Sequence, residues 1–197
     1  MLNKSITTTY LSFLRWRLLL VLIIWLFSVS CFADEEANIT VNSATLSLQE
    51  QTFSLNADIH YNLSDEAVEA LQNGVTLTFN IDLSVIETRN WLWDKHLNSI
   101  TLRYRIKYHT LAETYQISNL SSNAQHNFSS ITAALHALGT LRDIPIHAIA
   151  VPDGYNAQGS ITAYLNIEAL PLPMRPVAYI TPGWYLRSDS FLWPLNP

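Results

Sequence analysis

Regular alternation of apolar and polar residues is the feature that most constrains how this chain folds. Each of four long segments has apolar residues at every second position. Because successive side chains of a β-strand point to opposite faces, the pattern predicts strands with one buried and one solvated face. Such strands are typical of antiparallel sheets, since parallel sheets bury both faces. The segments are 53–61, 75–85, 100–108 and 160–168.

Two more strands are expected outside these four segments. The first covers Ile39–Leu48, and its apolar parity changes between Val41 and Ala44, which predicts a β-bulge. The other covers Ile144–Val151. The chain is therefore rich in strand from one end of its predicted domain to the other.

Two short helices are predicted between the strands. Ser64 is a favourable N-cap, the acidic residues after it suit the positive end of a helix dipole, and Gly74 ends the segment. The second helix begins near Ile131 and ends at Gly139. Neither is long enough to be stable alone, so both must pack on a sheet. We expect a mainly β fold, an antiparallel β-sandwich-like single domain with two short helices.

The two longest predicted strands, 75–87 and 99–109, are neighbours in sequence and should pair antiparallel. Apolar residues are at odd positions in the first and even positions in the second. A shared buried face therefore requires an odd sum of paired residue numbers. A connection at 90–98 gives a sum near 187 or 189, which predicts Asp82 opposite Arg105 or Lys107.

The C-terminal quarter combines prolines with large aromatic residues. Pro171, Pro173, Pro176 and Pro182 interrupt regular structure, while the final residues are rich in Trp, Tyr and Phe. Burying one such ring contributes roughly 1.5–3 kcal/mol. We expect 177–193 to dock on the domain as an extended strand that covers a sheet edge.

The N-terminal 33 residues have the organisation of an export signal. Lys4, Arg15 and Arg17 precede the apolar run Leu18–Phe27, and small residues lead to a cleavage site after Ala33. The ten-residue run is shorter than the roughly 20 residues of a bilayer-spanning helix. We expect residues 1–33 to be a cleaved signal peptide and 34–197 to be a periplasmic domain.

Two alternatives for the N-terminal segment stay open. An uncleaved segment would anchor the protein in the inner membrane, with residues 34–197 still in the periplasm. Lipidation at Cys31 is the other, although Ser28 stands where a lipoprotein signal normally has Leu. In both cases the membrane is reached through residues 1–33 alone.

The composition of residues 34–197 excludes several classes of function. Removing Lys4, Arg15 and Arg17 leaves eight of the eleven Lys and Arg residues against sixteen Asp and Glu, a net charge of −8. An acidic chain is a poor candidate for nucleic-acid binding, which depends on neutralising phosphates. The one cysteine, Cys31, lies in the signal, so disulfides, Cys-ligated metals and Cys nucleophiles are excluded from 34–197.

No catalytic, cofactor or metal site is predicted. The sequence has no Gly-x-Ser-x-Gly motif and no glycine-rich phosphate loop. No two of the six histidines are spaced as a local metal pair. His60 and His109 lie on polar strand faces, where they either converge or simply face solvent.

Two sets of residues are candidates for binding a partner. Arg103, Arg105 and Lys107 form a basic stripe on one face of a predicted strand. They suit an acidic partner, or they are solvated side chains with acidic neighbours across the sheet. Trp91 and Trp93, together with Trp184 and Trp193, either form an exposed aromatic patch or pack in the core and turns.

Several short motifs resemble one known family. They are Ala70–Val75 before a long strand, Leu170–Arg175, Trp184 and the terminal Leu192–Leu195, all after an export signal. Together they resemble the proteobacterial envelope family DUF4390 over nearly all of 34–195. Met174 and Pro176 depart from the family pattern, in which Leu and an apolar residue are expected.

The resemblance implies an exported protein of unassigned activity. Genes of the family tend to lie near those of a membrane sensor kinase, which implies a link to envelope signalling. The expected function is a non-enzymatic periplasmic binding or interaction module whose partner is another envelope protein. The alternative is a periplasmic small-molecule-binding protein or hydrolase that uses a cleft between sheet and helices.

Overall fold

A computed structural model describes residues 37–49, 52–87, 95–146 and 157–195 of the chain. Within these ranges the protein is mainly β, with nine strands in two antiparallel sheets and three short α-helices. The strands are β1 (Asn38–Gln49), β2 (Thr52–Asn62), β3 (Leu77–Glu87), β4 (Lys95–His109), β5 (Thr114–Asn119), β6 (Gln125–Phe128), β7 (Thr140–Ile146), β8 (Ala157–Leu165) and β9 (Phe191–Pro194). The helices are α1 (Asp65–Gln72), α2 (Ile131–Gly139) and α3 (Arg175–Ile180), and 3-10 turns occupy Ile167–Ala169 and Pro182–Trp184.

The two sheets pack against each other around one core. The smaller sheet has the strand order β1-β2-β7, and the larger has the order β6-β5-β4-β3-β8-β9. Strand β1 of the smaller sheet contacts β8 and β9 of the larger one. Tyr61 of β2 meets Phe79 of β3 edge to face, with ring centroids 5.1 Å apart. The expected antiparallel, sandwich-like single domain is therefore confirmed.

The alternating pattern accounts for which face of each long strand is buried. In β3 the odd positions from Leu77 to Val85 are fully buried, and in β4 the even positions Leu102, Tyr104 and Ile106 are buried. Residues 103, 105 and 107 between them are exposed. The bulge expected in β1 is present as a shift in pairing between Val41 and Ser43.

The pairing of β3 with β4 confirms the parity but corrects the register. Leu77 pairs with Ile106 and Asp82 with Thr101, so the paired numbers sum to the odd value 183 over most of the ladder. The prediction of Asp82 opposite Arg105 or Lys107 was wrong. The connection between the two strands comes earlier in the sequence than the expected 90–98, because β3 ends at Glu87 and β4 already begins at Lys95. Arg103 consequently lies opposite Asn80, and Arg105 opposite Thr78.

Both predicted helices are present and begin at serine caps. The Ser64 hydroxyl accepts a hydrogen bond from the Ala67 N–H at 3.2 Å, and the Ser130 hydroxyl accepts one from the Ala133 N–H at 3.2 Å. Helix α2 lies directly on β2: a Cβ at Gly139 would overlap the carbonyl oxygen of Ile59. Glycine thus permits the close approach of α2 to the smaller sheet.

The C-terminal segment is only partly extended, which corrects the expectation for 177–193. Residues Phe191–Pro194 form β9 and pair with the edge of β8, as predicted. Residues 177–180 instead belong to α3, which carries a proline in its first turn, and a 3-10 turn follows. The strand expected over Ile144–Val151 begins earlier, at Thr140, and residues 147–151 lie outside the described residues.

Candidate functional site

The outer face of the larger sheet carries a row of polar residues that crosses three strands. Arg103 of β4 lies opposite Asn80 of β3, which lies opposite Tyr164 of β8. Tyr164 forms a bridge with Arg187, whose guanidinium carbon lies 4.8 Å from the centre of the tyrosine ring. The antiparallel register therefore places an arginine at each end of a single transverse row.

The predicted stripe and Arg187 together form one cationic surface, here called the basic face (Arg103, Arg105, Lys107 and Arg187). The three stripe residues alternate along β4 and are exposed, as is Arg187. Half of the eight Lys and Arg residues of 34–197 thus lie on one face of an acidic domain. Asp82 lies two positions from Asn80 on the same face and accepts a hydrogen bond from Thr101 Oγ1 at 2.6 Å.

The cations of the basic face differ from two others in their pairing. Arg142 lies 3.9 Å from Asp58, and Arg175 lies 3.5 Å from Glu168. Among the described residues, no carboxylate lies within salt-bridge distance of the four cations of the basic face. In this part of the chain, therefore, no ion pair supports the alternative that the stripe residues have acidic neighbours across the sheet.

Asn80 sits buried at the centre of the row. It is 7% exposed, and its Nδ2 donates to the Tyr164 hydroxyl at 3.2 Å. Its Oδ1 has no hydrogen-bond partner among the described residues. An unpaired polar atom at a buried position is costly, and Arg103, which lies opposite on β4, carries donors of the kind that this atom lacks.

The C-terminal segment carries several exposed apolar side chains. We call this set the C-terminal patch; its members are large side chains that are 55–81% exposed. They are Leu172, Val177, Tyr179, Ile180 and Tyr185. Two other exposed large apolar residues in the described ranges, Leu111 and Leu192, lie outside this segment. Clustering of such side chains marks interaction surfaces, whereas single ones are normal.

A shallow groove joins the C-terminal patch to the basic face. Its lining includes Tyr179 and Tyr185 of the patch, Arg187 of the basic face, and Tyr164 and Glu168. The Tyr179 hydroxyl donates to Glu168, and this hydrogen bond raises the pKa of Tyr179 above its ordinary value. Tyr179 and Tyr185 of the C-terminal patch thus adjoin Arg187 of the basic face.

A separate cleft of about 320 Å³ lies between the two sheets beneath α2. Its walls come from β4, β5 and β6 on one side and from α2 and β7 on the other. Tyr104 lines it, is 6% exposed and has a hydroxyl without a partner among the described residues; burial raises its pKa. Burial also raises the pKa of Tyr61, and the charge of nearby Tyr104 adds to that effect.

The histidines on polar faces do not converge. His60 lies on β2 of the smaller sheet, whereas His109 lies on β4 of the larger one, 3.3 Å from Gln116 Oε1. In the described ranges, no group of three or more His, Cys, Asp or Glu side chains is arranged to hold a metal ion. None of the helices described is long and apolar enough to cross a membrane.

Of the aromatic candidates, Trp91 and Trp93 lie outside the described residues. Trp184 and Trp193 are 5% and 9% exposed, so these two pack in the core. The surface residues that sequence reasoning missed are Tyr164, Arg187 and the C-terminal patch. Alternation within 160–168 already placed Tyr164 on the polar face, but Arg187 reaches it only through the pairing of a proline-rich segment.

Comparison with known proteins identifies a family and no closer relative. The family model described as Domain of unknown function (DUF4390) matches residues 36–194. No curated protein and no solved structure matches the chain. The match covers nearly the whole described domain and confirms the resemblance found in the motifs.

Proposed function

The chain belongs to the DUF4390 family, and we propose that its domain is a non-enzymatic interaction module of the periplasm. It binds another envelope protein through the basic face and the adjoining C-terminal patch. The observation that carries the proposal is the set of four exposed cations without an ion pair among the described residues of a domain with net charge −8. A link to envelope signalling is part of the same proposal.

The chemistry of the surface defines the partner. Four cations in one face favour a segment rich in Asp and Glu, and electrostatic complementarity mainly speeds association and selects the partner. The exposed side chains of α3 and the following turn favour apolar residues beside those acids. The partner segment is therefore acidic and apolar together, presented by a protein in the periplasm or at the membrane surface.

The test compares capture by the wild type with capture by two triple variants. Arg103→Ser, Arg105→Ser and Lys107→Ser together remove the stripe, and exposed strand positions predict that the fold is kept. The matched control places the same change in charge on the smaller sheet, as Thr40→Glu, Thr45→Glu and Ser47→Glu, all exposed. Circular dichroism checks folding of each variant before binding is measured.

Two probes report binding: proteins from an envelope extract, identified after capture, and a labelled peptide of alternating Glu and Leu. We expect both to bind wild type and the smaller-sheet control, to bind the stripe variant at least tenfold more weakly, and to weaken with added salt. Equal capture by the stripe variant contradicts the proposal. Vesicles of phosphatidylglycerol that bind wild type and the control but not the stripe variant would also contradict it, since the surface would then recognise lipid.

The alternative function, a small-molecule binder or a hydrolase, is favoured by one observation, the cleft beneath α2 with the unpartnered Tyr104 hydroxyl. Recovery of a small metabolite with the purified protein, without capture of any envelope protein, would favour it over the interaction module.

A further inference from the structure

The three cations that β4 gives to the basic face form a row with one regular spacing. Arg103, Arg105 and Lys107 occupy alternate positions of the strand and are exposed. The positions between them, Tyr104 and Ile106, are buried and point to the core. An antiparallel strand rises about 3.4 Å per residue, so successive cations are separated by about 6.8 Å and the outer two by about 13.6 Å. The three side chains therefore leave the sheet on one side at fixed intervals.

An acidic residue bounds one end of this row. Asp82 of β3 is paired with Thr101, the outward-facing position of β4 that comes before Arg103. Its carboxylate accepts a hydrogen bond from Thr101 Oγ1 at 2.6 Å and is held beside that position. An acidic ligand that continued past Arg103 towards Thr101 would meet a like charge, which is destabilising. The attractive part of the row is therefore limited at this end to Arg103.

An extended acidic segment matches the spacing of the cations better than a helical one. In an extended chain, residues i, i+2 and i+4 point to one side and span about 13.6 Å, which is also the span of the three cations. On one face of a helix, residues i, i+4 and i+7 span only about 10.5 Å, because the rise is about 1.5 Å per residue. Three adjacent acids in an extended chain do not match either, since the middle one points to the opposite side. Of these patterns, the alternating extended one alone brings three carboxylates to the three cations at once.

We infer that the basic face recognises an extended segment of its partner that has Asp or Glu at every second position. The segment lies along β4, and three of its acids pair with Arg103, Arg105 and Lys107 in turn. Complementary charge attracts the segment, and the spacing then selects it among other acidic segments. The inference rests on the proposed interaction function and specifies the form in which the partner presents its acids.

Two labelled peptides of the same length, composition and charge test the spacing. Both contain three Glu residues in a background of Thr, which favours extended structure. In one peptide the Glu residues alternate with Thr, and in the other they are adjacent. At low salt we expect the alternating peptide to bind wild type at least about fivefold more tightly, a difference worth about one exposed ion pair. The stripe variant should lose most of its affinity for both peptides.

A swap within one cross-strand pair provides the matched variant. Ser118 of β5 lies opposite Arg105, so Arg105→Ser combined with Ser118→Arg keeps composition and net charge. The swap moves one cation to the neighbouring strand, about 4.8 Å out of the row. Once circular dichroism shows that the swap variant is folded, it should bind the adjacent-Glu peptide nearly as wild type does. It should no longer prefer the alternating peptide.

Several results would overturn the inference and leave the proposed function standing. They are equal binding of the two peptides by wild type, a preference that survives in the folded swap variant, and equally tight binding of a helical peptide with Glu at i, i+4 and i+7. Failure of both peptides to bind, while capture of an envelope protein still depends on the stripe, belongs to the same group. If neither peptide binds and the stripe variant captures as much as wild type, the proposed function fails together with the inference. The two failures are therefore distinguishable.

Discussion

Gly139 sets the distance between α2 and the smaller sheet. It ends α2 directly over β2, where any Cβ would overlap the Ile59 carbonyl oxygen and approach the Tyr61 ring at 3.5 Å. Gly183 also has little space, but there a Cβ would lie 2.5 Å from the carboxylate of Glu66. A flexible side chain moves aside, and a strand backbone does not.

Gly139→Ala should therefore destabilise the domain by about 1–3 kcal/mol, the usual cost of overpacking. Gly183→Ala is the matched control and should change the free energy of unfolding by less than about 0.5 kcal/mol. Urea denaturation of the two variants measures the difference. Equal stability of both would show that α2 is not held against β2 as closely as the structure describes.

Tyr61 links stability to alkaline pH. Burial raises its pKa above the unfolded value of about 10, so above that pH only the unfolded tyrosine ionises. The stability that Tyr61 contributes by staying un-ionised in the folded state is complete below about pH 10. It is lost as pH rises towards the folded pKa, and the free energy of unfolding falls by about 1.4 kcal/mol per pH unit. Tyr61→Phe should remove this part of the dependence of the free energy of unfolding on pH. Because the Tyr61 hydroxyl has no partner among the described residues, the variant should be no less stable than wild type at pH 7.

The measurement is the urea midpoint of wild type and Tyr61→Phe between pH 8 and about pH 11, which spans the unfolded pKa. Tyr185→Phe serves as control, since Tyr185 is exposed and should leave the alkaline slope unchanged. Parallel curves for wild type and Tyr61→Phe above pH 10 would contradict the prediction.

At the element scale, the two serine caps differ in what they join. The Ser130 hydroxyl caps α2 at an exposed position, and within the described ranges it bonds only to its own helix. Ser64 caps α1 and also donates to the Gly183 carbonyl at 2.7 Å. The second bond connects α1 to the 3-10 turn after α3, and therefore to the C-terminal patch.

Ser64→Ala should cost more stability than Ser130→Ala. Loss of a cap costs about 0.5–2 kcal/mol, and Ser64→Ala also leaves the Gly183 carbonyl without its donor, which adds about 1 kcal/mol. Thermal unfolding of the pair measures the difference. An equal effect of both substitutions would mean that the bond to Gly183 adds nothing to the attachment of the C-terminal segment.

The register of β3 and β4 shows what alternation can and cannot predict. Burial of Leu77 against Ile106 requires an odd sum, and the sequence pattern predicted that correctly. A shift by two residues in either direction keeps the same faces buried, so alternation cannot select among odd sums. The position of the turn selects the register, and the observed register sets Asn80 rather than Asp82 opposite an arginine.

The candidate site, too, was predictable from the sequence only in part. Arg103, Arg105 and Lys107 follow from alternation alone, because one face of β4 must be wet. Arg187 and the exposed side chains of α3 do not, since prolines obscure periodicity and the segment's shape depends on docking against β8 and α1. The cleft beneath α2 was beyond sequence reasoning, because its walls come from five elements.

At the scale of the whole molecule, the family match begins close to the cleavage site that the sequence predicts. The match begins at residue 36, shortly after the expected cleavage site, and the described core begins with Ile39. Residues 34–197 expressed alone should fold, and should melt at the same temperature as protein recovered from the periplasm.

Full-length protein produced in a Gram-negative host should appear in the osmotic-shock fraction with Asp34 as its first residue, because signal peptidase requires the small residue at Ala33. Mass spectrometry of the intact protein measures this. Ala33→Arg should block cleavage and leave the uncut chain in the membrane fraction, with its domain still facing the periplasm. Wild-type protein found uncut in carbonate-washed membranes would instead show an anchor, and a lipid-modified Cys31 would show a lipoprotein. In either case the protein would be held at the membrane. Diffusion in the membrane plane would then bring it to a partner at the membrane surface.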